Sequence, residues 1–261
     1  MKIRVIILLI LFFGLFLNHT FVNAASPMEK LDKLADEALQ LTTLGHDENA
    51  KNSLDLFIND FTEMTSNSQF FSMDDIKILL VSHKEAKKAI ESSTISTEEK
   101  IDKVLSFRLV VDAMNSHYQP LWTELQNPIM TAFSQLKEAV KENDADSYQV
   151  ILNRFLTQYL LIQPSMKIDV PVDKFQRLDA QISFIDKYRS KIILNDSGLV
   201  KLDELEADLQ HVFNEMSEDE SDPSLWLVII TTGSIIILAL SYVGWRKYRG
   251  EKYTKQKEHN D

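Results

Sequence analysis

From Pro27 onward, apolar side chains return every three or four positions for almost two hundred residues, the period of an amphipathic helix. The first such stretch, Pro27 to Leu44, places Leu31, Leu34, Ala38, Leu41 and Leu44 on one face and ends at Gly45, a helix stop. A second begins at Asp47 and carries Ala50, Leu54, Phe57, Ile58, Phe61 and Met64. A third follows Ser72, with Ile76, Leu79, Leu80 and Ile90 as its apolar set. The fourth opens with Ser96-Thr97-Glu98-Glu99, in which a serine can accept from the backbone three residues on and the glutamate can answer it.

Pro120 opens a fifth helix, predicted to run to about Glu142 with a kink or break at Pro128. The sixth is predicted from Asp144 to Ile162. Residues 163–171, QPSMKIDVP, then read as an extended connector between Pro164 and Pro171. A seventh helix covers about 172–194, Asn195 to Gly198 make a turn, and an eighth runs from Leu199 to Met216. Scarce glycine and this periodicity predict an all-α fold of about eight helices.

The second and sixth helices resemble each other at an offset of 98. Leu54, Phe57, Ile58 and Phe61 align with Leu152, Phe155, Leu156 and Tyr159, and each set follows a polar turn, HDEN or NDAD. The alignment points to two similar four-helix units, 27–117 and 120–217, although two amphipathic helices can also match by chance.

Both ends depart from this pattern. Lys2 and Arg4 precede an unbroken apolar run, Val5 to Leu17, too short to cross a bilayer comfortably but suited to a signal peptide. Val22-Asn23-Ala24 supplies the cleavage site, so residues 1–24 are expected to be removed; the alternative is a retained second span. Near the other end, residues 225–245 form an uncharged apolar stretch flanked by Trp226 on one side and Tyr242 and Trp245 on the other. It has the length of a transmembrane helix with an aromatic belt. Arg246, Lys247, Arg249, Lys252, Lys255 and Lys257 follow, so residues 246–261 are expected in the cytoplasm and the acidic body, 25–222, outside a cell membrane that the chain crosses once.

Charge sharpens the picture. The chain carries −11, yet the first segment holds two cations and the tail a surplus of three, which leaves −16 on what lies between. So acidic a body excludes nucleic-acid binding, which needs a basic face, and keeps it off anionic lipid. With no cysteine, there are no disulfides, thiolate metal sites, cysteine nucleophiles or lipid-modified cysteine.

The search for chemistry returns little. Histidines 19, 46, 83, 117, 211 and 259 stand at no zinc-ligand spacing and read as single surface residues. Ser82-His83-Lys84 reads as a helix surface rather than part of a triad, and phosphate-loop and dinucleotide glycine patterns are missing. Asp74-Asp75 and Asp144-Asp146 lack the glycine and closing glutamate of a calcium loop and suit helix N-termini. The carboxylates are expected to be solvated, with ordinary pKa values. No catalytic residue, metal or cofactor is expected, and the chain reads as a non-enzyme. Two segments stand out: 118–130, where Pro120 and Pro128 bracket Trp122, and the connector with Pro164 and Pro171. Trp122 suits the join between two helical units, where it packs as core. Trp122, Pro120, Pro164 and Pro171 are also the candidate surface for a partner or ligand.

These same segments carry a family resemblance. PLWTELQNPIMTAF at 120–133, YLLIQPSMKIDVP at 159–171 and DAQISFID at 179–186 resemble the YpjB family of sporulation proteins from Bacillus and related endospore formers. The plan of signal peptide, acidic helical body, single span and short basic tail is also similar to that family. The resemblance implies a bacterial membrane protein associated with spore formation, and no residue roles come with it. The function expected first is a membrane-tethered helical interaction or assembly module with an unknown protein partner. A ligand-binding sensor ectodomain signalling through another membrane protein comes second, and a cell-wall hydrolase last.

Overall fold

A computed structural model describes residues 27–67, 71–115, 119–194 and 196–217. Among them the chain forms nine α-helices and one 3₁₀ turn: α1 Pro27–Thr43, α2 Asp47–Asn67, α3 Met73–Glu91, α4 Thr97–Asn115, the 3₁₀ turn Leu121–Leu125, α5 Gln126–Lys141, α6 Ala145–Asp169, α7 Val172–Lys187, α8 Arg189–Leu194 and α9 Asp196–Ser217. None of these helices is long and apolar enough to cross a membrane. The apolar segments 5–17 and 225–245 and the basic tail lie outside the described residues.

Local chemistry explains most boundaries. Ser72, Ser96 and Asp144 each accept from the backbone N–H three residues on, at 3.0, 3.1 and 3.0 Å, satisfying donors that a helix start leaves orphaned. Gly45 ends α1 in the left-handed region, φ 74°, with His46 N–H on the Leu41 carbonyl (2.8 Å) and Gly45 N–H on that of Thr42 (3.0 Å). Asn143 ends α5 the same way, φ 56°, with Asp144 on Ala139 (2.9 Å) and Asn143 on Val140 (3.1 Å).

The offset of 98 therefore runs far beyond the two helices that suggested it. Gly45 maps on Asn143, the end of α1 on that of α5, and the start of α2 on that of α6. The starts of α3 and α4 fall within one residue of those of α7 and α9. Burial follows: Leu31 and Ile129, Ala50 and Tyr148, Val104 and Leu202, Phe107 and Leu205 are buried pair by pair. Two apolar clusters result. One gathers Leu31, Leu54, Phe57, Phe107 and their neighbours from α1–α4, with Ile168 of α6 packed against it. The other gathers Trp122, Phe133, Phe155, Leu205 and Phe213 from the later elements, with Leu109 of α4 as a member. Helices α4 and α6 are thus the shared wall between the halves.

Five expectations are corrected. Residues 163–171 are not an extended connector: α6 continues to Asp169, and only Val170 and Pro171 are extended. Pro164 is tolerated inside α6 because the carbonyl it leaves without a donor belongs to Leu160, on the exposed face, where water can serve it. Ser165 and Met166, buried just beyond, hold that turn in place. The break in the fifth helix falls at Leu125–Gln126, not Pro128, which sits in the first turn of α5 where its missing N–H costs nothing. The seventh helix divides at Tyr188 into α7 and α8, and α9 starts at Asp196, ahead of Leu199. A glycine is required at 198: a Cβ there would stand 1.8 Å from the Ile192 carbonyl oxygen. Leu80 belongs to the solvent face of α3, not its apolar set.

Candidate functional site

The sequence-nominated residues separate in the structure. Trp122 has no exposed surface (0%) and Pro120 is buried with it, so neither is available to a partner, which corrects their place on the candidate surface. The Trp122 ring lies 5.4 Å from that of Phe213, and its Nε1–H donates to Asp169 Oδ2 at 2.8 Å. One residue earlier, the Leu121 N–H donates to Asp112 Oδ2 at 2.6 Å. The 3₁₀ turn is thereby fastened to α4, α6 and α9 at once. Pro171 is exposed as the residue ahead of α7, and its carbonyl accepts from Phe175.

Asp169 departs from the expectation of ordinary carboxylates. Burial raises its pKa to about 7, against the Trp122 hydrogen bond, which lowers it; the charges of Asp112 and Asp75 add to the rise. Asp112 is also raised, first by burial. His83 is not a surface residue either. It is 6% exposed, its Nε2 meets the Leu54 carbonyl at 2.9 Å, and its ring lies 5.5 Å from that of Phe107. A carbonyl can only accept, so Nε2 carries the proton, and burial holds the imidazole pKa below its usual value. Ser82 is buried beside it on α3.

Pro164 lines an open groove of about 430 Å³ where α3 and α4 of the first half meet α6 and α7 of the second. Ile78 and Val81 of α3, Leu160 and Pro164 of α6 and Phe175 of α7 make its apolar surface. Lys77, Lys103 and Lys167 stand exposed around it. Asp179 lies in the wall, committed to Gln163 Nε2 (2.5 Å) and the Tyr159 hydroxyl (3.2 Å). That phenol is pushed well above its usual range, first by burial and then by the charge of Asp179. A shallower hollow continues along α3, lined by Met73, Ile76, Leu80 and Lys84.

The basic residues here are unlike most others in the body. Elsewhere most lysines are paired, among them Lys87 with Asp55, Lys100 with Asp47, Lys137 with Asp203 and Glu206, and Lys174 with Glu215, while Lys187 and Lys191 lie over the Tyr188 ring. Among the described residues, Lys77, Lys84, Lys103 and Lys167 make no ion pair. Large apolar side chains accompany them in water: Met73 is 80% and Leu160 58% exposed, with Val81 and Leu80 also exposed. The groove offers apolar surface, three lysines and the carboxylates of Asp74, Glu85 and Asp179, and no histidine. No group of three or more histidines and carboxylates stands ready for a metal among the described residues. The sequence pointed to Pro164 and the 163–171 segment as part of a candidate surface, but not to the walls that α3, α4 and α7 supply. The signal was present on α3, where Met73, Lys77, Leu80, Val81 and Lys84 repeat at helical spacing beside the buried stripe.

Comparison with known proteins agrees with the resemblance read from the sequence. The family described as Sporulation protein YpjB (SpoYpjB) matches residues 28–258. A protein of Bacillus subtilis (strain 168), described as uncharacterized protein YpjB, is 34% identical over 227 residues, covering 86% of each chain. No solved structure matches the chain.

Proposed function

We propose the following role for this chain, which belongs to the sporulation protein YpjB family: it is a non-enzymatic interaction module, anchored in the cell membrane by residues 225–245, whose helical body works outside the cytoplasm during spore formation. The groove between the two halves supports the reading. It is an open apolar surface bordered by Lys77, Lys103 and Lys167, which make no ion pair among the described residues, together with Asp74, Glu85 and Asp179, on a body that carries strong negative charge. Exposed apolar side chains at such a density mark interaction sites, and unpaired charges beside them favour a partner of complementary charge pattern.

The test is made in sporulating cells. Lys77→Glu, Lys103→Glu and Lys167→Glu together are expected to lower heat-resistant spore counts at least tenfold, with the protein at its normal level and its thermal unfolding unchanged. Normal sporulation by that variant would end the reading. Topology is tested separately: protease added to intact protoplasts should remove the body and spare residues 246–261.

A second reading, a sensor for a small ligand, draws on the groove volume of about 430 Å³, which falls within the range of small-molecule sites. A ligand enclosed there should protect the amides of 160–167 from hydrogen exchange without any partner protein.

A further inference from the structure

We propose that the groove receives one acidic amphipathic helix of a partner protein, laid along α3 across the join between the halves; this rests on the interaction-module reading above. Three observations carry it.

The first is shape. The groove shares Asp74, Lys77 and Val81 with the hollow beside it, so the two form one strip along α3 from Met73 to Glu85. At 1.5 Å per residue that strip is about 18 Å long, the length of a helix of about twelve residues and too long for a single small ligand.

The second is the apolar pattern. Met73, Ile76, Leu80 and Val81 recur at helical spacing along α3, and Leu160 of α6 and Phe175 of α7 line the groove together with Val81. A helix presenting apolar anchors at i, i+3, i+4 and i+7 fits such a groove.

The third is charge. Lys77 and Lys84 stand on α3, Lys103 on α4 and Lys167 on α6, none in an ion pair among the described residues. The acidic groups present are Asp74, Glu85 and Asp179. Asp74 lies in the first turn of α3, where the helix dipole favours it, and Asp179 is held by Tyr159 and Gln163. Glu85 is exposed and makes no ion pair either among the described residues, so the four lysines exceed the three carboxylates by one, and a partner segment with more carboxylates than lysines beside its apolar seam complements that surplus. A second copy of this chain would bring −16 toward a local surplus of lysine, but outside the strip its exposed apolar residues, such as Leu56, Val150, Phe184 and Val200, are spread over separate helices.

The experiment uses the full-length protein in sporulating cells with the photo-reactive residue p-benzoylphenylalanine at Val81 or Leu160, and at Leu56 as an exposed control elsewhere. The expected result is a cross-link from 81 and 160, absent from 56. It should map to a segment of another protein with net negative charge and apolar residues at helical spacing. Lys77→Glu/Lys103→Glu/Lys167→Glu should reduce its yield at least tenfold at equal protein level, and the milder Lys→Gln set should reduce it less. A cross-link to lipid, to a second copy of the chain or to a segment without that pattern would overturn the proposal. So would one indifferent to charge reversal, or none at either position. Loss of sporulation in the charge-reversed strain together with any of these would leave the interaction module standing with the wrong partner; normal sporulation would remove both.

Discussion

Gly45 and Asn143 stand 98 residues apart and end their helices with the same backbone: both have positive φ, and both begin the same pair of reversed hydrogen bonds. A left-handed residue is costly for most side chains, nearly free for glycine and mild for asparagine. The two turns start the equivalent helices α2 and α6, so they set the pitch of the whole repeat.

Gly45→Ala should therefore destabilise the protein by about 1–2 kcal/mol, although a Cβ there meets nothing within 4 Å. Asn143→Gly should be neutral or slightly stabilising. Urea unfolding of the two variants checks the contrast, and equal effects would show that the backbone conformation is not what matters.

Trp122→Ala should cost about 3–5 kcal/mol, the range for emptying a fully buried aromatic site. Trp122→Phe should cost less, about 1–3 kcal/mol. It keeps a ring against Phe213 but leaves the Asp169 carboxyl without its donor. A loss below about 1 kcal/mol for the alanine variant would contradict the packing described.

Asp169 gives a pH dependence of definite sign. Its carboxyl titrates near 7 in the folded protein against an ordinary value of 3.8. Between about pH 4 and 7 the unfolded chain releases this proton while the folded chain keeps it, so the residue lowers stability as pH rises and its full cost is reached above 7. Asp169→Asn retains an acceptor for Trp122 and removes that cost. Its advantage over the natural protein should grow from near zero at pH 4 to at most about 4 kcal/mol at pH 8. His83 works in the other direction: its lowered pKa favours the unfolded state as pH falls below 6.5. The asparagine variant should thus uncover a stability that rises toward pH 6.5 and then levels, measured by unfolding across that range.

Arg108, 6% exposed, joins α4 to α1 through Asp32 (3.0 Å) and Asp36, with Asp112 at 3.9 Å. Arg108→Gln would leave three carboxyls facing one another and should cost about 3–5 kcal/mol. At the equivalent position in the second half stands Glu206, which joins α9 to α5 through Lys137 at 2.6 Å. The polarity is reversed, and Lys137 also holds Asp203. Glu206→Gln should cost no more than about 1 kcal/mol, since Lys137 keeps Asp203, whose side chain is exposed. Similar losses at both positions would refute the distinction between a buried and an exposed seam.

Helix content was legible because it depends on neighbours three and four residues away. Ser72, Ser96 and Asp144 could be read as caps, Gly45 as a stop, and Leu54 to Phe61 as the counterpart of Leu152 to Tyr159, from spacing alone. Local chemistry of that kind needs no partner from elsewhere in the chain. Pro164 shows where it fails. Whether a proline ends a helix depends on which face the abandoned carbonyl presents, and that is known only once α6 is docked with Leu160 outward and Met166 inward. Tyr188 and His83 failed for the same reason. A break at 188 and a histidine sealed between Phe57 and Phe107 are consequences of packing between helices distant in sequence. The lysines were visible one by one, but a groove is a relation among α3, α4, α6 and α7, and only the fold brings residues 77, 103 and 167 around one apolar surface. Periodicity decides what each helix can bury; tertiary structure decides which apolar and charged residues are left over, and those are the ones a partner can meet.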